Sequence, residues 1–561
     1  MEVSHNGGTQ SPSPHHGRLR RRGVNRLVHW TFRVFAQPVA MLFFRVICLG
    51  RDHVPEGGVI LAANHRSFLD PFVIGCCVRR PIYFVAKGEL FSKRLQGWFL
   101  NCLGAFPVRR GGSDEESVAT ALELLDRGEA VVIFPEGRRI RHGSVDRPKR
   151  GVGRLALESG APVVPVAVTG TEHARRGWIF RPVRVKVRCG RPLTFPRAEK
   201  PSPALADAVT TRIWPCIQLQ WEWLGGLPPL RTAAVIGAGS MGTALAVLLE
   251  RAGLEVQLGC RTAAQARSLA AHRENSKHLG GVALLDGVRV TTVSEIEFAG
   301  VDLVVLAVPC DALPAALGQV GVLVGERSTV LVASKGLVPP LGTTPAAFVA
   351  ERTRARAVAY LGGPAHAREA VNAGATVVLA TRDADLRRDL EALLADAGLC
   401  VESTDDMTGA ELAACAKNAA ALAAAAAGAA AGPNVAGAAA GRVFAEVHEL
   451  ALREGGRSET FAGLAGAGDL VATAIAQGSR NRRAGELVGQ GVPSDRVPGL
   501  VGQTVEALAT VPLLDAALRD EGVDAPVTAG LCTLLEGRTT PEEWVETFRT
   551  PQGAPRSRRA A

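Results

Sequence analysis

The sequence lacks the paired cysteines that hold a zinc finger. Its 11 cysteines are scattered, none falls in a CxxC motif, and neighbouring Cys76 and Cys77 are too close together for a finger. An odd number of unpatterned cysteines also gives no disulfide framework. We therefore expect reduced thiols in a cytoplasmic protein, and no metal site.

The sequence also lacks a secretory signal pattern at its start. The first residues are polar and lead into a basic run from Arg18 to Arg26, without an apolar stretch before a small-residue cleavage site. Segments of this kind bury too little apolar surface to fold. We predict a disordered basic arm over residues 1–26.

A third absence concerns uninterrupted hydrophobic runs in the next segment. Residues 27–49 read LVHWTFRVFAQPVAMLFFRVICL, whereas a membrane-spanning helix needs about 20 nearly uncharged residues. The run is interrupted by His29, Arg33, Gln37, Pro38 and Arg45. With its basic lead-in, this pattern favours a helix lying in a membrane interface. A helix packed on the protein's own core is the alternative.

The chain does have a globular composition, with two differently charged halves. Of its 561 residues, 47% are hydrophobic and 21% are charged, and this length predicts roughly three to four structural units. Residues 1–230 hold 34 Lys and Arg against 18 Asp and Glu, whereas the remainder holds 30 against 36. The basic half suits an anionic membrane surface. We expect no nucleic-acid partner, because no recognition motif accompanies the charge.

Proline and glycine cluster in the segment GGLPPL, which predicts a linker over residues 225–231. Before it, short apolar strands alternate with helical stretches, which indicates an α/β domain over residues 27–224. After it, strand, glycine turn and helix repeat through residues 232–404, as in a Rossmann doubly wound parallel sheet. Helical pattern alone covers residues 405–545, including an alanine-rich tract broken near Gly432. Residues 546–561 are expected to form a disordered tail.

A glycine motif opens the second half. Residues 233–246 read AAVIGAGSMGTALA, so that Gly237, Gly239 and Gly242 follow a β-run and open a helix. In this context backbone amides can approach a pyrophosphate. After the next strand stands Arg261, where an acid usually holds the ribose hydroxyls of NAD and an arginine can hold a 2′-phosphate. The sequence therefore predicts NADPH as the preferred cofactor, with NAD as the alternative.

Further stretches carry a resemblance to a known family. They follow in order as HRENSKHLGG (272–281), LAVPCDAL (306–313), ASKGL (333–337), GGPAHAREA (362–370), AKNAAALAAAAAG (416–428) and AGLAGAGDLVATAIAQGSRNRRAGELVGQG (462–491). With the glycine motif, they resemble the bacterial-type NAD(P)-dependent glycerol-3-phosphate dehydrogenases over most of the second half. The resemblance implies reversible reduction of dihydroxyacetone phosphate to sn-glycerol 3-phosphate.

The same resemblance implies a role for individual residues. Lys417 matches the catalytic lysine, the acid in reduction and the base in the reverse direction, and an alanine-rich neighbourhood would lower its pKa. Asp469 is expected to hold the substrate or Lys417. Substrate contacts are implied at Lys335, Gly363, Asp469, Ser479, Arg480 and Asn481. Cofactor contacts are implied at Gly237, Gly239, Ser240, Met241, Gly242, Arg261, Lys335, Ala367, Arg480 and Glu506.

Two positions depart from that family's usual pattern. Met241 stands where tryptophan is common, and Ala365 stands where serine or threonine normally follows the GP pair. Loss of the hydroxyl removes one potential hydrogen bond to the substrate, commonly worth about 0.5–1.5 kcal/mol. The consequence stays open between weaker substrate binding and an altered substrate, and loss of the chemistry does not follow.

The first half contains NHRSFLD, residues 64–70, after the apolar run VILAA. A histidine followed five residues later by an aspartate, across a strand-to-helix turn, lets the carboxylate of Asp70 orient the imidazole of His65. Such a dyad can act as a general base for a hydroxyl group. Because this spacing often arises by chance, the interpretation depends on further motifs.

Four other blocks accompany the dyad: GRDHVPEGG (50–58), LGAFPVRRGG (103–112), FPEGRRIRHGS (134–144) and APVVPVAV (161–168). Together they resemble the glycerolipid acyltransferase family that includes 1-acylglycerol-3-phosphate acyltransferase. The resemblance implies direct attack of a hydroxyl on an acyl thioester, carried by coenzyme A or acyl carrier protein. Substrate-site residues are implied at Arg109, Arg110, Glu136, Gly137, Arg138, Arg139 and Pro165. Arg138 replaces the family's usual threonine, which leaves the identity of the acceptor open.

We therefore expect a bifunctional enzyme of glycerophospholipid synthesis, associated peripherally with the inner face of the membrane. Its substrates would be dihydroxyacetone phosphate, glycerol 3-phosphate and lysophosphatidate, with phosphatidate as the acylated product. In one alternative the acceptor is glycerol 3-phosphate itself; in another the first half is a membrane tether without catalysis. The oligomeric state is open, with a homodimer among the alternatives.

Overall fold

The computed structural model describes residues 14–78, 80–108, 115–145, 147–176, 178–340, 342–476 and 478–549. Its contacts divide the chain into two units, Met1–Pro229 and Leu230–Ala561. The division falls in the proline- and glycine-rich segment that the sequence predicts as a linker.

The first unit is built on a sheet whose central strands are hydrophobic on both faces. All five residues of VILAA are buried, as expected for a strand covered by helices on both sides. The strands of this unit are β1 (Ile47–Leu49), β2 (Val59–Ala63), β3 (Ile82–Lys87), β4 (Ala105–Val108), β5 (Ala130–Ile133), β6 (Val163–Thr169), β7 (Arg175–Arg176), β8 (Ile179–Phe180) and β9 (Lys186–Cys189).

Seven of these strands form one sheet in the order β1-β9-β6-β2-β5-β3-β4, and β7 pairs with β8 in a separate hairpin. Within the sheet only β6 and β9 are antiparallel. The helices are α1 (Pro14–Arg22), α2 (Arg26–Thr31), α3 (Gln37–Phe43), α4 (Asp70–Cys77), α5 (Arg94–Cys102), α6 (Glu115–Asp126), α7 (Gly151–Ser159) and α8 (Pro203–Trp223). The α/β architecture predicted for this half is confirmed.

Part of the predicted disordered arm is helical. Residues 1–13 lie outside the described residues, but α1 follows them, and its Leu19 is fully buried. Arg18 donates to the side-chain oxygen of Asn101 at 2.9 Å. Asn25 caps the next helix by accepting from the backbone N–H of Val28 at 3.2 Å. The prediction of disorder was wrong for residues 14–26, because the basic run is held by partners distant in sequence.

The expectation of reduced cysteines is also corrected. Cys48 on β1 and Cys77 at the end of α4 form a disulfide, with their Cα atoms 5.5 Å apart. The two residues are 29 positions apart in the chain, so the spacing of cysteines in the sequence gave no sign of the pair. The other nine cysteines are free.

The apolar segment after the basic run forms α2, a π-helical turn (Phe32–Ala36) and α3. One face turns inward, where Arg33 donates to the carbonyl of Val78 at 2.9 Å and Gln37 to that of Cys76 at 3.1 Å. The other face is exposed and apolar, with Leu27, Trp30, Val34, Phe35, Val39, Leu42 and Phe43. The segment therefore packs on the protein with one side and leaves a hydrophobic side open.

The second unit begins with an eight-stranded sheet in the order β12-β11-β10-β13-β14-β15-β16-β17, in which only β15 and β16 are antiparallel. Its strands are β10 (Thr232–Ile236), β11 (Glu255–Cys260), β12 (Val288–Thr292), β13 (Leu303–Leu306), β14 (Thr329–Val332), β15 (Ala357–Gly362), β16 (Thr376–Ala380) and β17 (Cys400–Thr404). Helices on this part of the chain are α9 (Ser240–Arg251), α10 (Ala263–His272), α11 (Ser276–Leu279), α12 (Leu313–Val320), α13 (Pro345–Arg352), α14 (Ala367–Asn372) and α15 (Ala384–Asp396). The predicted doubly wound parallel sheet is confirmed.

Helices alone follow the sheet, as predicted. They are α16 (Met407–Ala431), α17 (Pro433–Arg453), α18 (Ser458–Ala462), α19 (Asp469–Ile475), α20 (Arg480–Gly489), α21 (Val497–Val501), α22 (Glu506–Asp520), α23 (Pro526–Leu535) and α24 (Pro541–Arg549). A π-helical turn, Leu464–Gly468, precedes α19. The last helix includes residues 546–549, so the prediction of a disordered tail was wrong for these four residues, where Phe548 is buried. Residues 550–561 lie outside the described residues.

The alanine-rich tract forms the centre of this helical region. Helix α16 packs against α17 and α20, since alanine side chains let neighbouring helices approach closely. Among the described residues it is the one helix long and apolar enough to cross a membrane, and most of it is buried inside the protein. Its position is that of a core helix.

Candidate active sites

The first candidate site lies where β2 passes into α4. His65 follows the strand, and its Nδ1 is 2.9 Å from a carboxylate oxygen of Asp70, the first residue of α4. The imidazole stacks on the ring of Phe134, with centroids 4.1 Å apart. When Nδ1 donates to the carboxylate, Nε2 is the basic nitrogen. The structure thus brings the predicted histidine and aspartate together in an oriented dyad.

Asp70 is fully buried and is held by several donors. One oxygen accepts from the backbone N–H groups of Arg66 at 2.6 Å and Ser67 at 2.7 Å. The other accepts from the hydroxyl of Thr171 at 2.5 Å. These three hydrogen bonds fix the direction of the carboxylate toward the imidazole of His65. Thr171 follows β6, and sequence reasoning missed it.

The FPEG segment lies directly against the dyad. A carboxylate oxygen of Glu136 accepts from the backbone N–H of His65 at 2.6 Å, and the backbone N–H of Ile140 donates to the His65 carbonyl at 2.7 Å. Gly137 has a φ of 65°, and a Cβ there would lie 3.1 Å from the side chain of Lys149. The predicted Glu136 and Gly137 are therefore part of the same site, and Lys149 is an additional cation beside them.

Arg66 holds the basic loop that follows FPEG. Its guanidinium donates to the carbonyl of Ile140 at 2.9 Å and to that of Gly143 at 2.5 Å. It also stacks over the indole of Trp221 on α8, 4.1 Å from the ring centroid. Arg66 is buried, so this side chain is a structural link between the dyad loop and the basic loop. The motif NHRSFLD gave no separate signal for this role.

The remaining predicted residues of this half are less closely grouped. Arg109 and Arg110 lie outside the described residues. Arg138 and Arg139 are exposed on the basic loop. Pro165 lies inside the sheet, where β6 pairs with β2 at Ala62.

An apolar cleft of about 40 Å³ lies away from these residues, between α4 and the π-helical turn Phe32–Ala36. Its walls include Phe32, Phe72, Gly75 and Ile82.

The second candidate site starts at the glycine motif between β10 and α9. Gly237 has a φ of 109°, and a Cβ there would meet the Ala307 carbonyl at 2.6 Å. A Cβ on Gly242 would lie 1.8 Å from the Gly237 carbonyl, so this glycine permits close helix–strand packing. No heavy atom lies within 4 Å of a Cβ placed on Gly239. That position leaves open space at the start of α9, where a pyrophosphate fits against backbone N–H groups.

Two predicted cofactor residues at the start of α9, Ser240 and Met241, have side chains in different surroundings. The hydroxyl of Ser240 donates to the carbonyl of His278 at 2.6 Å, so its backbone N–H is the group left for a phosphate. Met241 lines a small apolar cavity of about 20 Å³, together with Lys335 and Ala365. The two departures from the family pattern thus lie on one cavity, beside a predicted substrate residue.

Arg261 and Ala367 lie at the carboxyl ends of strands. Arg261 directly follows β11 and is exposed, which leaves its guanidinium able to meet an anionic group. Ala367 is the first residue of α14, after β15. Both positions are at the edge of the sheet where doubly wound folds bind dinucleotides.

The catalytic candidate of this unit is a cluster of two lysines and one aspartate. The ammonium group of Lys335 donates to one carboxylate oxygen of Asp469 at 2.9 Å and to the carbonyl of Gly363 at 2.9 Å. The ammonium group of Lys417 is 3.5 Å from the other oxygen of Asp469 and donates to the hydroxyl of Thr473 at 3.3 Å. Four predicted residues from α16, α19 and two strand ends therefore meet at one place. Thr473 was missed.

Burial and charge set the protonation of this cluster. Burial lowers the pKa of Lys417, and the charge of Lys335 lowers it further, whereas Asp469 acts in the opposite direction. Burial acts to raise the pKa of Asp469, but the two lysines outweigh it, and the net shift is downward. The cluster therefore holds an ionised carboxylate next to a lysine that releases its proton more readily than an exposed lysine does.

The SRNRR segment contributes one end of α20. The hydroxyl of Ser479 caps this helix by accepting from the backbone N–H of Arg482 at 3.3 Å. Arg480 is exposed and donates to the carbonyl of Thr504 at 3.0 Å. The amide group of Asn481 donates to the side chain of Asn418 at 2.8 Å, so it links helices rather than facing open space.

Asn418 connects this segment to Glu506. It donates to the carboxylate of Glu506 at 3.4 Å, at the start of α22. Asn418 directly follows Lys417, and sequence reasoning missed it. Its position next to Lys417 in AKNAAA is the one signal that could have found it.

Comparisons with known proteins agree with this division into two sites. Residues 45–169 match the Acyltransferase family. Residues 232–386 match the N-terminus of NAD-dependent glycerol-3-phosphate dehydrogenase, and residues 406–546 match its C-terminus.

Individual relatives match the second unit. The glycerol-3-phosphate dehydrogenase [NAD(P)+] of an Exiguobacterium species is 32% identical over 58% of this chain and 96% of its own length. That of Chlorobium limicola is 35% identical over 54% of this chain and 93% of its own length. The crystal structure of glycerol-3-phosphate dehydrogenase from Coxiella burnetii is 29% identical, with a TM-score of 0.54, and covers 57% of this chain and 99% of its own. The chain belongs to the NAD(P)-dependent glycerol-3-phosphate dehydrogenase family and carries an acyltransferase domain in its first unit.

Proposed function

We propose that the second unit reduces dihydroxyacetone phosphate to sn-glycerol 3-phosphate with NADPH. The observation that carries this proposal is the cluster of Lys417, Asp469 and Lys335 in a unit that also carries an open glycine motif. A bound nicotinamide would supply the hydride. Arg261 supports NADPH over NADH, because a guanidinium suits a 2′-phosphate.

The residues of the cluster have separate tasks in this reduction. Lys417 in its protonated form donates a proton to the oxygen that becomes the new hydroxyl, and it accepts that proton in the reverse direction. Asp469 holds the two ammonium groups in place. Lys335 adds positive charge where the substrate's phosphate would bind, and Arg480 lies on the neighbouring helix α20.

A substrate comparison tests this half of the proposal. Oxidation of NADPH is followed with dihydroxyacetone phosphate and, as the matched control, with dihydroxyacetone, which lacks the phosphate. We expect rapid turnover only with the phosphorylated ketone. Equal rates with both ketones would contradict a phosphate-binding site.

We also propose that the first unit transfers an acyl group from a thioester to 1-acylglycerol 3-phosphate, which gives phosphatidate. The His65–Asp70 dyad carries this proposal, with the FPEG loop packed against it. Nε2 of His65 takes the proton of the acceptor hydroxyl as the oxygen attacks the thioester carbonyl. The carbon–sulfur bond then breaks, and the thiolate leaves with the proton that the imidazolium returns. Cations of the basic loop suit the phosphate of the acceptor.

An acceptor comparison decides between the hypotheses for this half. The purified protein is incubated with acyl-coenzyme A, or with acyl carrier protein thioester, and with either 1-acylglycerol 3-phosphate or glycerol 3-phosphate. Phosphatidate from the lysolipid alone supports the proposal. Product from glycerol 3-phosphate alone would instead make the two reactions consecutive. Acylation of neither acceptor would favour a tether without catalysis.

Peripheral association with the inner face of a membrane follows from the same proposal, because the lipid substrates reside there. Exposed apolar residues of α2 and α3 support it, and residues 14–51 contain no Asp or Glu. Binding to vesicles with and without anionic lipid tests it. Equal binding to vesicles with and without anionic lipid would contradict an electrostatic contribution to membrane association.

A further inference from the structure

A short hairpin beyond the dyad exposes three consecutive apolar residues. Strands β7 and β8 pair antiparallel, and the backbone N–H of Arg181 donates to the Ala174 carbonyl at 2.9 Å to close the hairpin. Trp178 is 91% exposed, Ile179 70% and Phe180 45%. We name these three residues the hairpin tip. Trp178 and Ile179 therefore present a contiguous apolar surface to solvent, of a kind that often marks a contact with a membrane or another protein.

The hairpin tip adjoins both the apolar segment and the catalytic motif. The ring of Phe180 lies 6.4 Å from that of Phe44, which follows α3. It also lies 6.1 Å from the ring of Phe68, inside NHRSFLD. The guanidinium of Arg175 is 5.6 Å from the Phe68 ring centroid and 5.2 Å from that of Trp178. The hairpin is therefore joined to the loop that holds His65.

The chain segment that forms the hairpin is basic. Residues 173–188 contain six Lys and Arg and no Asp or Glu. Arg181 and Arg184 are exposed. Tryptophan and arginine together are the side chains that settle at the headgroup level of a bilayer, where the apolar part is buried and the charge meets phosphate.

We infer that the hairpin tip inserts into an anionic bilayer as a second contact, separate from α2 and α3, and places the dyad at the headgroup level. This inference rests on the proposed acyl transfer to a lipid acceptor. A lysolipid would then reach His65 without leaving the surface completely, because the stack of Arg175 and Phe68 joins the inserted residues to the catalytic loop. An anionic lipid surface fits the hairpin because the exposed Arg181 and Arg184 complement its charge, and because Phe180 contacts Phe44 next to the apolar segment.

Paired variants test the inference on the full-length protein. Trp178→Ser with Ile179→Ser removes the apolar tip, and Arg181→Glu reverses a charge beside it. Trp223→Ser is the matched control, because this tryptophan is 65% exposed on α8. Binding to vesicles of phosphatidylglycerol and phosphatidylcholine, and to phosphatidylcholine alone, is measured by sedimentation.

We expect the double variant to bind anionic vesicles about tenfold more weakly, since large apolar side chains lose their burial. Acyl transfer to lysolipid held in vesicles should fall in parallel. Transfer to a short-chain lysolipid dispersed as monomers, and reduction of dihydroxyacetone phosphate, should stay unchanged. Arg181→Glu should weaken binding to anionic vesicles only, and Trp223→Ser should change none of these values.

Other outcomes would overturn the inference. Unchanged vesicle binding by the double variant would show that the hairpin tip does not contact the membrane. A parallel loss with the dispersed acceptor would show that the change disturbs the active site. Loss of self-association in sedimentation velocity, with vesicle binding retained, would make the tip a contact between copies of the chain. If the wild-type protein acylates neither acceptor, the proposed function is wrong. The vesicle-binding measurements then still test whether the hairpin tip inserts into the bilayer.

Discussion

The ammonium nitrogen of Lys417 lies 3.5 Å from a carboxylate oxygen of Asp469, and Lys335 binds the other oxygen of the same group. One carboxylate thus balances two buried or half-buried cations. Because Lys335 lowers the pKa of Lys417 and Asp469 raises it, the two neighbours should move the proton equilibrium of Lys417 in opposite directions.

The pH profile of the reductase tests this balance. In the proposed reduction Lys417 is the proton donor, so the rate should fall as pH rises through its lowered pKa. Oxidation of glycerol 3-phosphate should rise over the same interval. Lys335→Met should move this transition to higher pH, and Asp469→Asn should move it to lower pH. Lys277→Met, at an exposed lysine, is the control. Shifts of both variants in the same direction would contradict the assignment.

Cofactor choice depends on Arg261 in this account. Removal of a charge-assisted hydrogen bond costs about 1.5–3 kcal/mol, so Arg261→Ala should raise the KM for NADPH roughly tenfold to a hundredfold. The KM for NADH should change little. The neighbouring exposed Arg267 on α10 offers a matched control as Arg267→Ala. An equal effect on both cofactors would show that Arg261 does not meet the 2′-phosphate.

Thr171 should act as a positioning residue for the acyltransferase dyad. Its hydroxyl donates to Asp70 at 2.5 Å, so Thr171→Val leaves one buried carboxylate oxygen without this donor. We expect kcat for acyl transfer to fall about tenfold or more, with little change in the KM for the acyl donor. Thr171→Ser should restore activity, and Thr211→Val on the exposed side of α8 should have no effect. The two Thr171 variants are compared at the same fraction of folded protein. If Thr171 only stabilises the fold, kcat per folded molecule should be the same in both variants.

Local features of the two sites could be predicted from the sequence. The glycine motif could be recognised because it directly follows a β-run and opens a helix in the sequence. The buried strands were readable because uninterrupted apolar runs are typical of parallel sheets. The pairing of His65 with Asp70 needed only the turn between β2 and α4.

Contacts across the sheet could not be predicted in the same way. Thr171 reaches Asp70 only because β6 lies beside β2, although the two residues are 101 positions apart. The Cys48–Cys77 disulfide and the hydrogen bond of Arg18 on α1 to Asn101 also join residues that are distant in the sequence and meet only in the folded protein. Which residues become neighbours here depends on the order of the strands in the sheet. That order cannot be predicted from the sequence pattern of a single segment.

A buried acid should make the stability of the second unit depend on pH. Burial raises the pKa of Glu411 on α16 from its ordinary 4.5 to about 7, although the Ala346 backbone N–H and the Thr344 side chain bond to its carboxylate. The unfolded chain ionises near the ordinary value, so the contribution of Glu411 is fully present below pH 4.5 and is lost as pH rises to about 7. This change amounts to about 3 kcal/mol.

Glu411→Gln removes this titration and tests the prediction. The free energy of unfolding is measured in urea between pH 4.5 and 7.5. We expect it to decrease between pH 4.5 and about 7 in the wild-type protein and to lose this decrease in the variant. Exposed Glu369 gives the control as Glu369→Gln. A slope that persists in the Glu411 variant would show that other groups cause it.

The independence of the two active sites is tested most directly by measuring both activities in His65→Ala. The two-site account predicts that acyl transfer to 1-acylglycerol 3-phosphate falls by about a hundredfold to ten-thousandfold, as expected on loss of a general base. Oxidation of NADPH by dihydroxyacetone phosphate should proceed at the wild-type rate in the same preparation. Acyl transfer unchanged by this substitution, or loss of both activities in a folded protein, would contradict the account.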